Sequence, residues 1–223
     1  MEKIYTIPVN ETFDTQDGCP FCRLYKKLEE NELDIILGAS MMEPAIRIET
    51  NKKGFCEHHF NEMFAAKNRL GLGLILESHI EELIKEVSST PLLQDKVKAM
   101  GQKLTDKTST CYICDRIENN FTKMVECALI LWESDRAFRE KFSKTPFFCI
   151  KHYTLMMNLA NNFISKKAHS DFYKMASEIE ISYLEELLGD VSWFCKKFDY
   201  RYDDEPWKNS KDAVERAIKS VHH

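Results

Sequence analysis

The sequence predicts an all-α fold, a helical bundle built from two homologous units that are each clamped by a metal ion. Three observations carry that prediction. Apolar residues recur at three- and four-residue steps over long stretches, the spacing that lines one face of a helix. No alternation of apolar and polar residues lasts more than a few positions, so the strand signal is missing. One pattern of cysteine and histidine also occurs twice: CPFC (19–22) with GFCEHHF (54–60), then CYIC (111–114) with FFCIKHY (147–153).

The first copy opens with a helix carried by Phe21, Leu24, Tyr25, Leu28 and Ile35 and closed by Gly38, a residue suited to a helix C′ position. A short segment follows at 44–48. A long helix is then expected to open at Cys56 and run through Leu72, Ile75, Leu76, Ile80, Leu83, Ile84 and Val87 until Thr90-Pro91 stops it. Residues 92–104 read as a bridging helix and the polar TDKTST (105–110) as a linker. The expected domains are therefore a first unit at 1–104 and a second at 105–223 that carries a helical C-terminal extension. The second copy predicts helices at 112–133, 135–142, 149–166 and 170–198. After the turn-forming DDEPWKNS comes a short helix over KDAVERAI, with Asn209 or Ser210 as its cap.

Self-alignment pairs Cys19 with Cys111 and Cys22 with Cys114 at an offset of 92, and Cys56 with Cys149 and His59 with His152 at 93. An aromatic residue precedes the third cysteine and follows the histidine in both copies (Phe55 and Phe60, Phe148 and Tyr153). This is an internal duplication that retains residue types suited to metal ligation. Cys-x2-Cys and Cys-x2-His each place two donors on one face of a first helical turn, because positions i and i+3 are neighbours there. Two such pairs complete a tetrahedron, and zinc is the ion that most readily accepts thiolates with imidazole. The simplest grouping puts Cys19, Cys22, Cys56 and His59 in one site and Cys111, Cys114, Cys149 and His152 in the other. Grouping across the copies satisfies the same ligand count. Two zinc ions are expected; iron–sulfur clusters fit less well, since histidine is an uncommon ligand in ordinary clusters. Four protein donors close the coordination sphere, which favours a structural over a hydrolytic ion.

Composition limits the alternatives. A chain of 223 residues with 43% hydrophobic and 30% charged residues is an ordinary globular protein, able to fold alone. A net charge of −5 with interleaved acids and bases offers no broad positive field, so nucleic acid is not an expected partner. The opening MEKIYTIPVNETFD lacks the basic start and apolar run of a secretory signal. No apolar stretch approaches the roughly 20 residues needed to span a bilayer. A cytoplasmic location without membrane contact is expected, and there eight cysteines point to metal ligands or thiol chemistry before disulfides.

Other motifs carry less. CPFC is similar to the redox pair of thioredoxin-like proteins, but no βαβ context surrounds it. His59 is preferred to His58 because the second copy offers only His152 at that spacing. His79 reads as a core or boundary residue, Cys127 and Cys195 as core, and Gly71 and Gly73 as aids to close helix packing. The absence of ExxH and HExxH removes carboxylate di-iron and zincin chemistry. The aromatic and charged stretch at 193–207 reads either as a terminal clasp, with Trp207 packed and Arg201 paired to an acid, or as a surface for a protein partner.

The paired CxxC…CxxH units, the segment GASMMEPAIRIETNKKGFC and the closing KKFDYRYDDEPWKNSKDA together resemble an uncharacterised bacterial family of unknown function, found mainly in Firmicutes. The resemblance spans nearly the whole chain. It implies a bacterial, cytoplasmic, helical, metal-binding protein and no activity. The expected function is a zinc-binding interaction or regulatory module; the alternative is a thiol-based redox sensor or a metalloenzyme using the sulfur-rich sites.

Overall fold

The computed structural model describes residues 3–88 and 94–221. A 3-10 turn at Lys3–Tyr5 leads into α1 (Thr6–Asp14) and α2 (Pro20–Leu37), and a second 3-10 turn at Ala39–Met42 leads into α3 (Pro44–Lys53). Then follow α4 (Glu57–Ala65), α5 (Arg69–Ser88), α6 (Gln94–Ser109), α7 (Tyr112–Ser134), α8 (Arg136–Phe142), α9 (Ile150–Phe163) and α10 (His169–Lys196). A 3-10 turn at Tyr200–Tyr202 precedes α11 (Ala213–Val221). The described residues contain no strand, so the fold is all-α as expected. None of these helices is long and apolar enough to cross a membrane.

The chain divides into two compact units: Met1–Tyr25 with Thr122–His223, and Lys26–Phe121. This partition differs from the expected split between 1–104 and 105–223, and its borders fall inside α2 and α7. The expected linker at 105–110 is largely the last turns of α6. Its hydroxyls turn back onto their own helix, Thr105 Oγ1 donating to the Gly101 carbonyl (2.9 Å) and Ser109 Oγ to that of Asp106 (2.9 Å). Polar residues that read as a loop are satisfied there within the helix.

In the discontinuous unit an aromatic core fills the space between α1, α7, α8, α9 and α10. Phe13 meets Phe21, Phe138 and Phe142 at ring distances of 4.9–5.8 Å, and Phe142 meets Phe148 and Phe172. Trp132 and these six phenylalanines are almost wholly buried. Burial of that size contributes roughly 1.5–3 kcal/mol for each large side chain. Asp135 caps α8 by accepting from the Ala137 and Phe138 amides. The final helix starts at Ala213, three residues beyond the expected Ser210 cap, and the Ser210 hydroxyl donates instead to the Trp207 carbonyl.

The continuous unit has a thinner core of Leu33, Ile36, Leu37, Phe55, Met63, Leu72, Ile75, Ile113 and Ile117. The single long helix expected from Cys56 is two helices, broken where Lys67 takes a positive φ of 63°. Asn68 then accepts from the Gly71 amide and donates to the Leu37 carbonyl (2.8 Å), capping α5 and tying it to the end of α2. Apolar periodicity ran through the break because both helices place their buried faces in phase. Ile80, Ile84 and Val87, part of the apolar pattern that predicts this helix, are more than half exposed. The expected stop at Thr90-Pro91 and the opening of the bridging helix at 92–93 lie outside the described residues.

Candidate metal centres

Each helix that carries a donor pair begins at the first cysteine of that pair. Cys56 and Cys149 are the N-cap residues of α4 and α9, and Cys19 and Cys111 immediately precede α2 and α7. The second donor of each pair, Cys22, His59, Cys114 or His152, sits one turn in. Pro20 occupies the first helical position of α2, where its missing N–H costs nothing. Helix starts present unpaired amides and the positive end of the dipole, which favour thiolate over thiol.

The eight side chains gather into two clusters, each within one compact unit. Cys19 and Cys22 join Cys149 and His152, and Cys56 and His59 join Cys111 and Cys114. This corrects the simplest grouping read from the sequence: each cluster takes its Cys-x2-Cys from one copy and its Cys-x2-His from the other. The reason is the length of the intervening helices. At about 1.5 Å per residue, α2 carries the chain about 22 Å beyond Cys22, whereas α3 is only about 15 Å long. In the second copy α7 is about 34 Å long and α8 only about 10 Å. Neither copy brings its own two pairs back together.

Within each cluster the four donor atoms lie within 4.8 Å of one another. In the first, His152 Nδ1 is 3.2 Å from Cys149 Sγ, 3.3 Å from Cys22 Sγ and 3.8 Å from Cys19 Sγ, and Cys22 Sγ is 3.5 Å from Cys149 Sγ. In the second, His59 Nδ1 is 3.2, 3.3 and 3.4 Å from the sulfurs of Cys56, Cys111 and Cys114, and Cys56 Sγ is 3.8 Å from Cys114 Sγ. A tetrahedral zinc ion with bonds of about 2.3 Å to sulfur and 2.05 Å to nitrogen sets sulfurs about 3.8 Å apart, and sulfur and nitrogen about 3.6 Å apart. Both clusters fit such an ion with little adjustment. All eight cysteines are free thiols.

The electrostatics bear on what the clusters could hold. Burial, reinforced by the neighbouring Cys149, pushes Cys19 up to about 11. Hydrogen bonding to Cys149 and Cys19 raises Cys22, and burial with the adjacent Cys111 raises Cys114. Hydrogen bonds from Cys19 and Cys22 lower Cys149. Crowded sulfurs thus share protons, whereas a divalent cation would allow all of them to ionise.

The two helix starts of the second centre are tied by backbone and charge. Gly54, at φ 65°, ends α3 and donates to the Thr50 carbonyl (2.8 Å), while its own carbonyl accepts from the Tyr112 amide (2.9 Å). Thr110 Oγ1 donates to the Lys53 carbonyl (2.7 Å), and Lys53 pairs with Asp115 (2.7 Å). The Arg116 guanidinium pairs with the buried Glu32 carboxylate (2.5 Å). At the first centre, Glu180 on α10 accepts from the Phe148 amide (3.1 Å), fixing the residue that precedes Cys149.

The family model of DUF6062, described as a family of unknown function, matches residues 1–223. The chain belongs to that family. No curated protein and no solved structure matches it.

In this DUF6062 protein the remaining candidates fall outside the clusters. His58 is exposed and His59 almost wholly buried. His79 is half-buried beside Gly54, with burial lowering its pKa. Cys127 is core, but Cys195 is exposed, one position off the buried stripe of Phe172, Ala176, Glu180 and Leu187 along α10. Gly71 lies against Asn68, whereas Gly73 faces open space and serves no packing role. The 193–207 stretch closes on the buried Lys197, whose ammonium donates to the carbonyls of Tyr202, Asp203 and Glu205 at 2.5–2.9 Å. Trp207 packs against Phe194 and Phe198, and Arg201 pairs with Asp199. Sequence reading missed Glu29 on α2, whose Oε1 is 2.8 Å from His58 Nε2 and 3.3 Å from His59 Nε2. Its only signal is position, facing a donor pair 27 residues later in the chain.

Proposed function

We propose that this protein binds two zinc ions through Cys19, Cys22, Cys149 and His152 and through Cys56, His59, Cys111 and Cys114, and that it works as a zinc-stabilised helical interaction or regulatory module. The observation that carries this reading is the pair of matching Cys3His clusters, each assembled from two helix starts and spaced for tetrahedral coordination. Three thiolates and a neutral imidazole around a divalent ion leave a net charge of about −1, which the helix N-termini offset. Four protein donors leave no open position for a substrate or an activated water, so the ions clamp helices and do not perform hydrolysis. Iron–sulfur chemistry is disfavoured by the histidine in each set.

Elemental analysis of the purified protein tests this directly, with about two zinc ions per chain expected. Cobalt substitution should give the intense visible bands of a tetrahedral thiolate site. A preparation that holds no zinc, or that is brown and contains iron with acid-labile sulfide, would refute the reading.

A further inference from the structure

His59 is almost wholly buried and turns Nδ1 toward three sulfurs, so a metal bound there takes the Nδ1 lone pair and leaves the proton on Nε2. That buried Nε2–H has no well-aligned hydrogen-bond partner. The carboxylate of Glu29 stands 3.3 Å away, and Oε1 of the same group meets the exposed His58 at 2.8 Å. A histidine that ligates a metal almost always gives its second ring N–H to a carboxylate, a carbonyl or water, which fixes the tautomer and strengthens the ligand.

We propose that Glu29 is the positioning residue of the second centre: its carboxylate accepts a hydrogen bond from His59 Nε2–H, holds the ring with Nδ1 toward the metal, and so makes this centre retain its ion more tightly. This rests on the zinc reading above. A competing reading would place a further cation between Glu29, His58 and His59 Nε2, since these three donors also lie close together. That cation would require His59 to lose its last ring proton beside a centre already carrying about one negative charge. A hydrogen bond to Glu29 leaves the proton on Nε2 and avoids that cost. His58, largely solvated, can exchange Glu29 for water without loss.

The test compares the zinc-loaded wild type with Glu29→Gln, Glu29→Asp and His58→Ala, following each centre separately by cadmium-113 resonances and by chelator competition. Glu29→Gln should weaken retention at the second centre by about 10- to 100-fold, leave the first centre unchanged, and move the His59 Nε2 nitrogen-15 shift. Glu29→Asp should restore part of the affinity, and His58→Ala should retain all of it. Equal retention in Glu29→Gln and wild type, or equal losses at both centres, would overturn the inference while leaving the zinc reading intact. A wild type whose second centre takes up no metal would remove both. A second-centre loss in His58→Ala as large as in Glu29→Gln would favour the cation between the three residues and overturn the proposal.

Discussion

If each zinc ion joins the two copies, the sum of two substitutions depends on which pairs are combined. Replacing Cys22 by serine removes one of four donors from the first centre. Structural zinc binds with roughly 10–16 kcal/mol of apparent free energy, so one donor in four is worth on the order of 3 kcal/mol, or about a hundredfold in affinity. A chelator chosen between the wild-type and variant affinities should therefore strip the damaged centre and spare the other. Cys22→Ser with Cys149→Ser damages a single centre and should leave one zinc ion per chain. Cys22→Ser with Cys56→Ser damages both and should leave none. The stability losses should follow the same rule, overlapping in the first pair and adding in the second. Zinc content after chelation and gel filtration gives the answer. One ion retained by Cys22→Ser with Cys56→Ser would refute the cross-copy arrangement and restore pairing within each copy.

Burial raises Glu180 from its ordinary 4.5 to about 7. A folded value above the unfolded one means that this contribution to stability is complete below about pH 4.5 and is lost as pH rises through about 7, a difference of about 3 kcal/mol. Urea unfolding at pH 5 and pH 8 should show Glu180→Gln gaining on the wild type at the higher pH; parallel curves would show that Glu180 does not titrate as its burial requires. Gly54, at φ 65° and ψ −163°, occupies backbone space open essentially to glycine alone. Gly54→Ala should cost about 1–3 kcal/mol and speed zinc loss from the second centre only, measured by release to a chromogenic chelator. Lys197→Met should leave three carbonyls without their donor and cost roughly 2–4 kcal/mol, with faster amide exchange confined to 197–207.

The candidate donors were legible because their chemistry is local. Cys-x2-Cys and Cys-x2-His declare their geometry within one helical turn, and duplication separates them from incidental cysteines such as Cys127. Helices with one strong apolar face were legible for the same reason: α2, α7, α9 and α10 lie close to their expected ranges. What the sequence concealed is set by neighbours far along the chain. The break at Lys67 lies between two apolar faces that happen to stay in phase. The 105–109 stretch is helical, with Lys107 held to Glu86 at 3.0 Å and its hydroxyls finding acceptors one turn back. Glu29 looks like one more solvated acid until the fold sets it against His59.

The grouping of the donors shows how rigid elements can override chain entropy. Pairing within each copy would close loops of 33 and 34 residues. The clusters close much longer ones, of about 126 residues between Cys22 and Cys149 and about 51 between His59 and Cys111. Because closure entropy grows only with the logarithm of length, the longer loops cost about 1.2 and 0.4 kcal/mol more. Bending α2 or α7 back within a copy would instead break helical turns, each carrying several hydrogen bonds worth about 1 kcal/mol apiece. The stiff helices decide the outcome, and they leave the second centre nested inside the loop that the first one closes. All four donors of the nested centre come from one continuous stretch of chain, so it can be completed while the ends that build the first centre are still apart.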